Sequence, residues 1–207
     1  ILEILLEIEE GEHSHVAIRN ALSKYQFLPK QDRAFITRVC EGTLEYRIQI
    51  DYIINSFSKV TVDKMKPAIR EILRSAVYQL KYMDSVPDSA VCNEAVKLAQ
   101  RKGFYNLKPF VNGVLRTIAR EMDQVQFPKK EDDLVKYLSV KYSMPDVLVH
   151  RWLEAYGEET TEKILADFLT EHPLTIRCRT YLNSKEEIVK SLESQGVQVT
   201  SAPYLPY

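Results

Sequence analysis

Two groups of side chains in this 207-residue sequence have the types and spacing for polyanion chemistry. The first is Arg70, Arg74, Tyr78 and Lys81. Projected at about 100° per residue, they fall on one side of a helix, beside the apolar face of Ile69, Ile72, Leu73 and Leu80. A cationic edge carrying an aromatic ring supplies phosphate contact and base stacking, the two interactions that hold single-stranded RNA. Solvated charges with Tyr78 packed in a core give the same pattern, so the spacing leaves both readings open. The second group is Asn112, Arg116 and Arg120. Its amide can read base edges and its guanidinium groups can fork onto phosphate oxygens, while an asparagine can equally cap or link helices. Arg33 and Arg38 lie near the start of a helix, where the dipole opposes a free cation, so each needs an anion: Asp32, Glu41 or an RNA phosphate. Lys97, Arg101 and Lys102 precede Gly103 in the last turns of a helix, where the dipole favours cations, and are assigned to structure.

Other chemistries find little support. Cys40, Cys92 and Cys178 are odd in number and far apart, which suits neither a disulfide framework nor a zinc site and points to a reducing, cytoplasmic compartment. His13, His15, His150 and His172 are scattered, and no metal site is expected. The six glycines are isolated, so no phosphate-cradling glycine-rich turn can be drawn. Strand alternation places Cys178 opposite Arg177 and Arg179, which leaves it without the cation a nucleophilic thiol needs. No apolar run approaches the about 20 uncharged residues of a membrane span, and the N-terminus lacks the features of a signal peptide.

The net charge of −1 conceals a division. From His13 to Met122, eighteen basic residues stand against ten acidic ones, a net of +8, whereas residues 123–207 carry −4. A basic region followed by an acidic one predicts a polyanionic partner for the first, with charge alone giving only nonspecific attraction.

The elements that must position these groups read as helices through residue 122, because apolar residues recur every three or four positions and Pro or Gly falls at the joints. After an opening amphipathic stretch, a helix is expected from Ser14 to about Tyr25. A long one, N-capped by Asp32, is expected to run to about Phe57. Pro67 and Pro87 open two more, the second closed by Gly103, and Asn106 starts the last. Pro128 and a charged run mark 123–133 as a linker. Beyond it come helical segments near Asp132 to Tyr142, Pro145 to Tyr156 and Glu158 to His172. Leu174 to Tyr181 then alternates like a strand, Ser184 opens a capped helix, and Val197 to Val199 suggests a second strand. The expected fold class is therefore mainly α: a helical bundle over 1–122, then a smaller helical and α+β region over 134–207. Trp152 is expected in its core. The chain opens inside an amphipathic pattern and closes on Ala202-Pro203-Tyr204-Leu205-Pro206-Tyr207, which reads as a fragment of something longer.

Three ordered stretches carry a resemblance. They are Asp32-Arg33-Ala34 with Glu41-Gly42-Thr43-Leu44 and Asp51-Tyr52-Ile53-Ile54; Ile72-Leu73-Arg74 with Tyr78-Gln79-Leu80, Val86-Pro87 and Asn93-Glu94-Ala95-Val96; and Phe110-Val111-Asn112-Gly113-Val114-Leu115-Arg116. Together they resemble the NusB-like helical domain, most closely the form that precedes RsmB/Sun-type rRNA methyltransferases. Arg151-Trp152, Tyr156-Gly157 and Pro173-Leu174-Thr175-Ile176-Arg177 extend it past the linker. The resemblance implies an RNA-binding, substrate-positioning N-terminal part of a 16S rRNA cytosine-C5 methyltransferase. It also implies S-adenosylmethionine as the cofactor of the parent protein and none for this fragment. A stand-alone NusB-like antitermination factor, adapting RNA to protein, is the alternative, and a purely structural bundle a third.

Overall fold

A computed structural model describes residues 1–170, 172–179 and 181–201. Ten helices follow in order: α1 (Leu2–Glu9), α2 (Ser14–Lys24), α3 (Lys30–Glu45), α4 (Arg47–Phe57), α5 (Pro67–Tyr82), α6 (Asp88–Arg101), α7 (Lys108–Glu121), α8 (Leu134–Tyr142), α9 (Asp146–Phe168) and α10 (Lys185–Ser194). The fold is mainly α, as the periodicity requires. The chain divides into a first unit, Ile1–Phe168, and a second, Leu169–Tyr207.

Helix α5 is the axis of the first unit, packing against α1, α3, α4, α6 and α7. Every residue from Glu71 to Tyr78 is buried. Its Ile69, Ile72, Leu73 and Val77 join Ile50, Ile53 and Ile54 of α4 and Val111, Leu115 and Ile118 of α7 in the main core. A second cluster, with Ile4, Leu5, Ala17, Ile18 and Cys40, holds α1 and α2 on α3. A third ties α8 to α9 through Leu138, Val149 and Leu165, with Trp152 packed on it.

Local chemistry sets several joints. Gly103, at φ +84°, closes α6 in a Schellman motif: its N–H donates to the Gln100 carbonyl and that of Phe104 to Ala99. Gly157 interrupts α9 with φ 74° and ψ 175°, at the boundary expected between Tyr156 and Glu158. Two expectations for α3 and α4 need correcting. Asp32 is not the N-cap, since α3 starts at Lys30 and Asp32 lies in its first turn. The single helix from Asp32 to Phe57 is in fact two, parted at Tyr46.

That break has a tertiary cause. At the start of α4, Ile48 N–H donates to Ser143 Oγ at 3.1 Å instead of continuing the α3 ladder. In return Gln49 Nε2 donates to the carbonyls of Val140 and Lys141 at the end of α8, at 3.0 and 3.2 Å. Each helix end thus satisfies the other's orphan groups. Gln49 Oε1 also accepts from the Tyr82 hydroxyl. Gln49→Ala would leave a buried carbonyl, a part-buried one and a phenol without this partner, so about 1–3 kcal/mol of destabilisation is expected. Hydrogen exchange should show it first at the C-terminal turn of α8, and unchanged protection there would refute the reciprocal cap.

In the second unit α10 is capped as expected. Ser184 Oγ accepts from Glu187 N–H and Glu187 Oε2 accepts from Ser184 N–H, a complete capping box. The expected strands are not formed among the described residues: 172–179 and 197–200 carry no ladder, with Leu174 90% and Ile176 55% exposed. Alternation supplies a strand's two faces but not the neighbour whose N–H and C=O groups define it. Thr180 and the closing 202–207 lie outside the described residues.

Candidate nucleic-acid interface

The structure separates eight of the nine candidate RNA contacts into two populations, with Arg33 apart from both. Arg70, Arg74, Tyr78, Lys81 and Arg38 are engaged by the protein itself. Arg74, only 8% exposed, donates Nε and Nη2 to the two carboxylate oxygens of Asp51 at 2.7 and 2.6 Å, and Nη1 to Glu71 at 2.6 Å. Arg70 is paired with Glu9 of α1 and donates to the Val62 carbonyl at 3.2 Å. Tyr78 is 6% exposed, its ring lying against the backbone of Gly42 and stacked near Tyr46 and Tyr82. Lys81 stands over the rings of Tyr82 and Phe127, and burial lowers its pKa despite the opposing charge of Asp123. Arg38 Nη2 reaches the Tyr82 carbonyl at 3.3 Å, capping the end of α5.

The expected ridge on α5 is therefore not a surface. A helical projection finds an edge by assuming one solvated face, and α5 has none through its middle turns. Arg70 and Arg74 are satisfied by Glu9 of α1, Asp51 of α4 and Glu71 of α5 itself. Arg33 is half-buried, with its Nε left without a hydrogen-bond partner among the described residues.

Helix α7 is different. Arg116 and Arg120 are exposed and Asn112 is partly so. Asn112 Oδ1 accepts from Arg116 Nε at 2.9 Å. The amide oxygen orients a guanidinium, and its NH2 is left to donate. Among the described residues the terminal nitrogens of Arg116 have no hydrogen-bond partner, and they form the fork that suits a phosphate. Arg120 is held by its neighbour Glu121 at 2.6 Å with its side chain 69% exposed. Tyr105, 61% exposed in the turn that leads into α7, offers the accessible ring that Tyr78 does not. Its position in a short polar joint between Arg101 and Lys108 is the signal that would have found it.

Nothing described makes a cofactor cradle or an activated thiol. A methyl built on Gly11, Gly103, Gly113, Gly157 or Gly196 meets nothing within 4 Å, and the space at Gly42 is filled by Tyr78. Among the described residues no glycine lines a cradle of the kind a phosphate or nucleotide cofactor uses. Burial pushes the Cys40 thiol up to about 11 and raises that of Cys92 against the pull of Arg116, the reverse of what a nucleophile requires. No group of His, Cys, Asp and Glu suited to a metal occurs among the described residues, and no described helix is long and apolar enough to cross a membrane.

Residues 1–120, all of α1 to α6 and nearly all of α7, match the NusB family. The chain belongs to the NusB family. This NusB-family chain continues into a second match, over residues 144–207, described as "Methyltr_RsmF/B-like, ferredoxin-like domain". It is 33% identical to the "Probable ribosomal RNA small subunit methyltransferase B" of Bacillus subtilis (strain 168) over 198 residues, 96% of this chain and 44% of that protein. Its counterpart in Synechocystis sp. is 31% identical over 98% of this chain and 45% of its own length. The "Transcription antitermination protein NusB" of Acidothermus cellulolyticus is 42% identical over 41% of this chain. The NusB-family chain thus spans somewhat under half the length of the two methyltransferase relatives. The crystal structure of PH0851 superposes with a TM-score of 0.71 over all of this chain and 46% of that one, at 22% identity, which establishes a shared fold.

Proposed function

We propose that residues 1–122 are the RNA-binding, substrate-positioning bundle of an S-adenosylmethionine-dependent 16S rRNA cytosine-C5 methyltransferase. Residues 123–133 then link it to a region, 134–207, that precedes the catalytic part. The observation that carries this reading is the exposed Arg116–Arg120 ridge of α7, in a chain whose matches across nearly its full length are named small-subunit rRNA methyltransferases. The antitermination alternative accounts for the bundle alone, whereas the match over 144–207 favours the methyltransferase. In this reading the protein is cytoplasmic and the cofactor is held outside residues 1–207. The bundle binds the rRNA strand and sets its position.

Phosphate contact displaces condensed counterions, so the logarithm of the affinity for unmodified small-subunit rRNA should fall linearly with the logarithm of salt concentration. Arg116→Ala should weaken binding and flatten that slope by about 0.7–0.9, one phosphate's share. Lys163→Ala, whose lysine pairs with Glu159 on an exposed helical turn, should change neither. A folded Arg116→Ala variant with the parent's affinity and slope would remove α7 from the interface.

A further inference from the structure

The exposed stripe of α7 runs through Pro109, Gly113, Arg116 and Arg120, so the glycine lies in the middle of it. Gly113 has no positive φ and a methyl added there meets nothing within 4 Å. Neither backbone conformation nor internal packing requires a glycine at this position. Inside a helix, glycine is less favourable than alanine because it loses more backbone freedom on folding. The fold alone would be better served by a side chain, and the feature that a missing side chain does produce faces outward. It is a notch in the stripe, with Arg116 and Arg120 about 60° and 20° away around the helix.

We propose that Gly113 is a close-approach site, where the sugar–phosphate backbone of a single RNA strand lies against the helix while Arg116 and Arg120 hold phosphates beside it. The proposal rests on the RNA reading above and adds the place where the strand lies. Without a Cβ the strand can come near enough for Cα–H···O contacts. Proximity also brings its phosphates within reach of the Arg116 fork that Asn112 holds in place. A side chain at 113 would lift the strand off both.

The test uses the 207-residue chain, a short unstructured fluorescent RNA, and anisotropy and thermal melts on Gly113→Ala and Gly113→Leu. Gly113→Ala should melt at the parent's temperature or above it and bind about tenfold more weakly, the loss of one charge-assisted contact. Gly113→Leu should bind more weakly still. Because lifting the strand breaks the Arg116–phosphate contact, the salt slope should flatten toward that of Arg116→Ala although no charge is removed. If Gly113→Ala lowers the melting temperature, the glycine serves packing and the proposal is wrong. It is equally wrong if both variants bind like the parent while Arg116→Ala does not, which would leave RNA on α7 but no close approach. A parent chain that binds no RNA at low salt overturns the RNA reading itself.

Discussion

Arg74→Ala is expected to destabilise the first unit by roughly 3–5 kcal/mol, a large part of the stability of a domain this size. The magnitude follows from what is left behind. Arg74 neutralises Asp51 through a two-point fork and Glu71 through a third hydrogen bond, and Glu71 is only 2% exposed. Truncation strands a buried carboxylate with no cation, and that uncompensated charge costs far more than the net value of the intact pair. Arg74→Lys keeps the charge but cannot span both acids, so it should fall between. The pH dependence gives a second readout. Burial raises the Glu71 pKa above its usual value, and the charge and hydrogen bond of Arg74 partly offset this. A raised folded pKa means that this group's share of stability is whole below the unfolded value and is lost as pH rises through the folded one. Without Arg74 the folded pKa climbs further. The variant's deficit should therefore shrink as the medium is acidified, and Glu71→Gln added to Arg74→Ala should recover part of it at neutral pH. A variant that melts like the parent but binds RNA poorly would return Arg74 to the interface.

Gly42→Ala should be the next most damaging single change, by about 1–3 kcal/mol or more from overpacking. An added Cβ would stand 2.0 Å from Cζ of Tyr78 and 2.3 Å from its hydroxyl oxygen, well inside contact distance. The ring has little freedom to retreat, because Tyr82 and Tyr46 lie 5.3 and 6.3 Å away, centroid to centroid. Either the ring or the α3 backbone must shift. Replacing the ring tests the cause: Tyr78→Leu is harmful alone but should make Gly42→Ala nearly neutral, with a coupling of about 1–3 kcal/mol in urea unfolding. Additive effects of the two changes would mean that the methyl is accommodated elsewhere.

These two sites also mark where the sequence stops being legible. Gly103, Gly157 and Ser184 could be read directly, because each acts through hydrogen bonds or backbone angles within a few residues. The α7 ridge was legible for a related reason: its polar residues sit on the side of an amphipathic helix that is truly solvated. Arg74 and Tyr78 obey the same periodicity on a helix enclosed by five others, and only the arrival of Asp51 from α4 and Gly42 from α3 decides what they do. The break at Tyr46 has neither Pro nor Gly to announce it, since its cause is Ser143, remote along the chain. Leu174 to Arg179 shows the converse, a pattern with two faces but no ladder formed with any neighbour among the described residues. Periodicity reports how a segment could be amphipathic, and the partner that makes use of it is outside the window.

The exchange of helix ends between α4 and α8 bears on how force passes along the chain. The two family matches stop at 120 and resume at 144, so by descent the seam lies between them. By packing there is no seam there, because Gln49 and Ser143 lash α8, and with it α9, to the bundle, and the first unit runs on to Phe168. A strand pulling on Arg116 would thus drag more than the NusB-family part. It would carry α8 and α9 with it, as far as Phe168.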